Sequence, residues 1–380
     1  MSDVKLNQNI FNAHRTTTVN ESGSLFFGDK QGLIDIIEIQ NQPLFDLYKK
    51  LKKQDWDEKE QDYSKCKPHF ETASKEVYES MILNITWQWE TDSVAARALF
   101  AVLAPFISDP ILTALYQRIG DNEILHSFTY SEIVKQSFDD PRKVKEDILQ
   151  TKQTLERLQP VIEVFGRAYE ISHKYALGLI DEAQARDTCY EFIVAMLVLE
   201  RVGFMGSFAN TFAHCMATPG FSPIGFAVKK IASDELEVHS KVGIEIIKHE
   251  CNTKVGMEAF KRLSDRFTKI IIDVAKAEIE FSKFVSDNGR ELPGAPVDKL
   301  ISFTMFNIGY VCDCIPFIDK QEVIKQVGYE IPSKNPLKFI EKWINMDMNQ
   351  GSPMEQKTTG QYLINAVRDT AGDKVFATDF

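Results

Sequence analysis

The stretch Asn122-Glu123-Ile124-Leu125-His126-Ser127-Phe128-Thr129-Tyr130 decides how the rest of the chain reads. In an α-helix each residue turns by about 100°. Glu123 and His126 are then i,i+3 neighbours, and Tyr130 follows His126 at i+4. A carboxylate, an imidazole and a phenol therefore share one stripe. Glu-x-x-His pointing inward is how some four-helix bundles hold paired metal ions in their cores. A phenol one turn further on is a candidate for oxidation by such a metal. The same spacing is also common on solvated helix surfaces, so the other segments have to supply the remaining ligands.

From about residue 72 the pattern is helical, and prolines punctuate it. Segment 72–103 contains neither proline nor glycine, and Pro105 and Pro110 follow it. Segment 111–138 carries the quoted stretch and stops before Pro141. Segment 143–181 contains Pro160, where a break or kink is expected. Segment 183–216 is long and strongly apolar, and Pro219, Gly220 and Pro223 make the loop after it. Segments 225–250, 254–288 and 297–319 follow. A short helix over 39–53 precedes the set, and another opens at Asn335-Pro336 and ends near Met346. The strands an α/β fold would need are missing, so the expected class is all-α, with helices longer than the usual three turns. Residues 1–25 read as an irregular N-terminal arm, 26–346 as the helical domain, and 347–380, interrupted by Gly351, Pro353, Gly360 and Gly372, as a flexible C-terminal tail.

Composition narrows the function. The 380 residues are 44% hydrophobic and 26% charged, which suits a globular core, and the net charge of −11 argues against a nucleic-acid or anionic-membrane partner. No apolar run is expected to cross a bilayer, and MSDVKLNQNIFNAHR has no apolar signal core, so the expectation is a cytoplasmic protein without a membrane partner. Six cysteines do not make a disulfide framework in a chain of this length, and Cys312-Asp313-Cys314 is too tight for a usual zinc pair.

Four long segments each place an acidic residue within an apolar run. Segment 72–103 has Asp92, 111–138 has Glu123 with His126, 183–216 has Glu200, and 225–250 has Glu235 with His239. A buried carboxylate without a partner is costly, and a metal ion relieves that cost. Glu200 is the most telling, because Phe204 and Phe208 at i+4 and i+8 put it on an aromatic stripe. Four carboxylates and two imidazoles on four helices are the inventory of a dinuclear site. Oxygen and nitrogen donors favour iron or manganese over zinc. Cys189 lies about 16 Å along the helix from Glu200 and cannot share a metal with it. The second histidine unit is irregular. A Glu-x-x-His would need Glu at 236, where this chain has Leu236, and Glu235 and His239 are i,i+4. Glu237 is about 160° away from Glu235, so it should face elsewhere. A local π-bulge could absorb the extra residue.

With these residues in hand the chain, from about Phe26 to Phe380, resembles the small, radical-generating beta subunit of class I ribonucleotide reductase, a ferritin-like helical bundle. The matches run in order: Phe26-Phe27-Gly28, then Trp56, then Gln88-Trp89-Glu90-Thr91-Asp92-Ser93, then Glu123 to Tyr130. Glu200, Phe204 and Phe208 follow, then Ile231-Ala-Ser-Asp-Glu235, Asn335-Pro336 to Trp343, Gln361-Tyr362, and the terminal Phe376-Ala-Thr-Asp-Phe380. Ser233 departs from the family's usual arginine, and the resemblance favours Glu235, because Ile231 and Asp234 also match, with Glu237 in reserve. The resemblance implies two iron ions, with manganese possible, held by Asp92, Glu123, His126, Glu200, Glu235 and His239. It further implies that the centre activates O2 to form a radical on Tyr130. His126, Asp234, Trp56 and Tyr362 would then pass the radical to a large subunit, where ribonucleotides become deoxyribonucleotides. Phe204, Phe208 and Ile231 would wall off the radical. The tail would dock on the large subunit, and the small subunit would be a homodimer. The alternatives are a dimetal oxidase or oxygenase not coupled to nucleotide reduction, and a ferritin-like iron store. Tyr130 and the tail with Tyr362 argue against the first, and the chain's length and its tyrosine-bearing tail with an aromatic terminus argue against the second.

Overall fold

Side-chain caps mark the helix starts of this chain. Asn41, Ser74, Asp109, Asp140, Asp181 and Thr253 each accept a hydrogen bond from a backbone N–H in the turn that follows. Each satisfies a donor that a helix start leaves open. Pro43, Pro110 and Pro141 sit in first turns, where a missing N–H does no harm.

The computed structural model describes residues 22–28, 33–292 and 294–344. Its helices are α1 (Gln42–Lys53), α2 (Lys67–Thr72), α3 (Lys75–Leu103), α4 (Pro110–Ser137), α5 (Pro141–Leu149), α6 (Lys152–Ala176), α7 (Glu182–Val198), α8 (Met205–Ala217), α9 (Ser222–Asp234), α10 (Ser240–Cys251), α11 (Lys254–Ser286), α12 (Val297–Cys314) and α13 (Lys320–Val327). The expectations for the tail 347–380, including Tyr362, and for most of the arm lie outside the described residues. Ser24 and Leu25, at the end of the expected arm, are already buried, and the Glu250 carboxylate accepts from the Ser24 hydroxyl and the Leu25 N–H, each at 2.8 Å. The class is all-α as expected. Among the described residues the extended pairings are the isolated bridges Phe26–Ile107 and Leu292–Ala295.

Several expectations need correction. Of the break or kink expected at Pro160, a break is absent: α6 runs through Pro160, and segment 143–181 divides instead between α5 and α6. Arg157, Leu158, Val161 and Val164 bury that face of the helix in the core, and packing outweighs the bond the proline forfeits. Residues 63–72 and α13 are helical although too short for a period to reveal. The helix expected after Asn335-Pro336 is a 3₁₀ turn, Lys338–Lys342. The expectation that no apolar run could cross a bilayer also fails, because Glu182–Ala217 is long and apolar enough. The fold buries 94% of its most apolar window. It packs against α6, α10, α11 and α12 along α7, and against α3, α9 and α12 along α8. A helix hydrophobic all round is a core helix when neighbours cover every face.

Two of the four long rods are interrupted. Leu199–Gly203, between α7 and α8, and Glu235–His239, between α9 and α10, are π turns. The Phe204 N–H donates to the Leu199 carbonyl at 3.2 Å, an i→i+5 bond that accommodates one extra residue. Each π turn begins at or beside an acidic residue that the sequence singles out.

Candidate metal centre

Four rods converge on one buried point. Asp92 comes from α3, Glu123 and His126 from α4, Glu200 from the first π turn, and Glu235 and His239 from the second. All six are buried. Their donor atoms form two sets, each within 4.8 Å: Asp92, Glu123, His126 and Glu235, and Glu123, Glu200, Glu235 and His239. Glu123 and Glu235 belong to both. His126 Nδ1 lies 3.1 Å from Glu235, 3.8 Å from Glu123 and 3.9 Å from Asp92. His239 Nδ1 lies 3.1 Å from Glu123 and 2.8 Å from Glu235.

Of the two glutamates in the second π turn, Glu235 faces inward. With five residues in the turn, Glu235 and His239 share the core face. Glu237 points out to α1 and pairs with Lys50 at 2.5 Å.

So many ionisable groups in so little space distort one another. Burial pushes the carboxyls of Asp92 and Glu200 well above the usual carboxylate range, and neighbouring carboxylates add to it. Burial opposes charge on His239, but Glu235 and Glu123 outweigh it and raise the imidazole to about 10. Burial likewise opposes charge on His126, and Asp234, Glu123 and Glu235 overcome it. Burial also works against a charged Glu235, yet His239, Glu200 and His126 hold it well below the usual range. The inward oxygens of Asp92, Glu123, Glu200 and Glu235, and Nδ1 of both histidines, have charged neighbours but no hydrogen bond of acceptable geometry. Buried polar atoms are rarely left so. Two divalent cations would supply the four positive charges that four carboxylates require, so the donor set fits a metal pair, of iron or manganese character.

Each histidine keeps its outer nitrogen engaged. His126 Nε2 meets Asp234 Oδ2 at 3.2 Å, and His239 Nε2 meets Asn122 Oδ1 at 2.9 Å. Outer partners of this kind orient metal-binding imidazoles. Asp234 Oδ2 also accepts from Asn122 Nδ2 at 3.2 Å and from Trp56 Nε1 at 2.9 Å. The half-buried Trp56 ring stacks near His126, with centroids 5.9 Å apart. Asn122 thus ties both histidine supports together. Sequence reasoning missed that role, although Asn122 directly precedes Glu123 on a buried face. Tyr130 is fully buried and its hydroxyl has no hydrogen-bond partner. Burial raises its pKa well above the ordinary phenol value, and Asp92, Glu235 and Glu123 add to it, so the phenol keeps its proton. Phe204, Phe208 and Ile231 are all buried, with the two rings stacked 5.5 Å apart.

Fold and site together define a ferritin-like helical bundle with a carboxylate-and-histidine core suited to two metal ions. The profile described as "Ribonucleotide reductase, small chain" matches residues 33–315, and the chain belongs to that family. Among its relatives, the ribonucleoside-diphosphate reductase subunit beta of Buchnera aphidicola from Schizaphis graminum is 23% identical, covering 93% of this chain and 94% of that one. The subunit beta of phage T4 is 24% identical, covering 96% and 97%. Of solved structures, the ribonucleotide reductase R2 subunit from Clostridium botulinum matches with TM-score 0.71 at 16% identity, covering 87% of this chain and 98% of that one. An R2-like ligand-binding oxidase with a reconstituted Mn/Fe cofactor matches with TM-score 0.56 at 15% identity, covering 72% and 94%. These structural likenesses bear on the fold alone.

Proposed function

We propose that this chain is the radical-generating small subunit of a ribonucleoside-diphosphate reductase. The carrying observation is the pair of donor sets sharing Glu123 and Glu235, with the buried phenol of Tyr130 in their field. Asp92, Glu123, His126 and Glu235 would hold one metal ion, and Glu123, Glu200, Glu235 and His239 the other. When bound, the pair supplies the oxidising power of O2, enough to take one electron from a phenol. Tyr130 gives up that electron and its hydroxyl proton. Phe204, Phe208 and Ile231 keep water away from the resulting radical. Asp234 holds His126 and the Trp56 indole through one oxygen, which makes a continuous hydrogen-bonded line from the centre to a half-buried ring. An electron moving inward along that line, together with return of the proton, restores Tyr130 to the phenol, and Tyr362 would carry the oxidising equivalent onward. Reduction of the nucleotide belongs to the large subunit.

Tyr130→Phe tests this reading. It keeps the ring and removes the hydroxyl, which has no partner to lose. The variant should bind its full metal complement yet give no tyrosyl signal in electron paramagnetic resonance, and turnover should fall to background. A persistent tyrosyl signal would place the radical elsewhere. Tyr190, whose hydroxyl donates to Glu250 at 2.6 Å, would be next to test.

Membership of the family supports a symmetric homodimer that docks on the large subunit through residues 347–380. Sedimentation should give twice the chain mass for the protein alone and a heavier complex when large subunit is added. Deleting 375–380 should leave the dimer and abolish the complex. A monomer at micromolar concentration, or a complex that survives the deletion, would contradict this arrangement.

A further inference from the structure

The metal ligands come from α3, α4 and the two interrupted rods, yet α6, α11 and α12 help bring two buried guanidinium groups to the same five residues. Arg157 of α6 donates from Nε and Nη2 to the two oxygens of Glu278 on α11, at 2.6 and 2.5 Å. Its Nη2 also donates to the Gly203 carbonyl at 2.7 Å. That carbonyl accepts a second bond, from Trp87 Nε1, at 3.1 Å. The guanidinium carbon lies 3.7 Å from the Trp87 ring centroid and 4.0 Å from that of Phe281. Arg201 lies inside the π turn itself. It donates from Nη1 to Asn307 Oδ1 on α12, and its guanidinium lies over the Tyr310 ring, 4.5 Å from the centroid.

Two desolvated guanidinium groups are an expensive way to fill a core. Apolar side chains of similar volume often serve stability as well or better. Arg201 is met by a neutral amide and a ring rather than by a carboxylate, so the cost there is plain. What the two arginines share is the turn Leu199–Gly203, which carries Glu200. A π turn displaces its carbonyls from the α-helical register. Here the last carbonyl of the turn is fixed by two side-chain donors, and the residue after Glu200 is anchored to α12. The turn is therefore held at two points, one and three residues beyond Glu200. Because Arg157 and Glu278 form a paired ion couple, they fix the backbone with little net charge added near the centre.

We propose that Arg157, Trp87 and Arg201 are positioning residues that hold this π turn and thereby aim the Glu200 carboxylate at the second donor set. The inference rests on the metal-centre reading above. Trp87→Phe removes one donor to Gly203 and keeps a ring over the guanidinium. Arg157→Lys keeps a cation for Glu278 but loses the fork that reaches both partners. Anaerobic titration with Mn(II), followed by electron paramagnetic resonance, reads the two ions without reference to turnover. The wild type should take two ions per chain with a coupled signal. Both variants should keep one ion at wild-type affinity and bind the other roughly 10- to 100-fold more weakly. At intermediate Mn(II) they should show the hyperfine-split spectrum of an isolated ion. Two coupled ions at wild-type affinity in both variants, with only a lowered melting temperature, would leave these residues as packing groups and overturn the inference. If Arg157→Lys does not fold, Trp87→Phe decides alone. A wild type that binds no ion pair overturns the metal-centre reading and this inference with it, whereas normal binding by the variants leaves that reading intact.

Discussion

Replacing Glu123 with alanine should empty the metal centre while leaving the bundle folded. Glu123 belongs to both donor sets, so its loss takes a charged donor from each ion at once. Among the described residues Glu235 alone shares this place in both sets, and like Glu123 it neighbours both histidines. The remaining carboxylates, Asp92, Glu200 and Glu235, would sit together without enough cation, and protons would take the place of metal, as the raised affinities of Asp92 and Glu200 for protons already favour. Removing one buried anion from that cluster should leave the metal-free protein at least as resistant to heat as the wild type. Metal should raise the melting temperature of the wild type, because a ligand that binds only the folded state at a hundred times its Kd adds about 2.7 kcal/mol. That rise should vanish in Glu123→Ala. Elemental analysis should show well under the wild-type metal content. Two ions per chain with unchanged spectra in the variant would remove Glu123 from the ligand set.

Trp56→Phe should separate making the radical from using it. The phenylalanine keeps an aromatic ring in the half-buried slot and deletes the indole N–H. Asp234 still holds Asn122 and His126, so the metal support stays in place. Metal content and the Tyr130 signal should therefore match the wild type. Turnover with the large subunit should fall to background, because a phenylalanine ring is far harder to oxidise than an indole. Tyr362→Phe should give the same pattern by interrupting a later step. Substantial deoxynucleotide formation by Trp56→Phe would take the indole out of the transfer line and leave its bond to Asp234 as a latch between the 54–62 loop and α9.

Much of this centre is legible in the chain because its parts are local. Glu123, His126 and Tyr130 share a stripe through helix geometry alone, and Asp92 and Glu200 stand out as acids in apolar runs. Asp234 and Trp56 are different. They are 178 residues apart, and neither carries a local sign of the other, so they could be named only through resemblance to a family. Asn122 is not legible in the same way, because an asparagine beside a candidate ligand has no periodic signature, and its two partners, Asp234 and His239, lie on another rod. Arg157 and Arg201 carry no local sign of their role, since nothing in a linear chain says that a guanidinium will be buried against a carbonyl or an amide from another element.

Residue type and a rotation of about 100° per residue are enough to read the all-α class and most of the candidate ligands from the chain. That Glu235 rather than Glu237 turns to the core is a matter of packing between distant elements. In an ideal helix Glu235 and His239 are already neighbours, but whether that face or the one bearing Glu237 turns to the core depends on where the rod departs from its regular pitch. That departure is set by packing. Lys50 draws Glu237 outward to α1, and the π turn lets Glu235 and His239 both reach donors on α4. The continuity of α6 through Pro160 has the same origin, because burial of its apolar face outweighs a local preference that the chain states plainly.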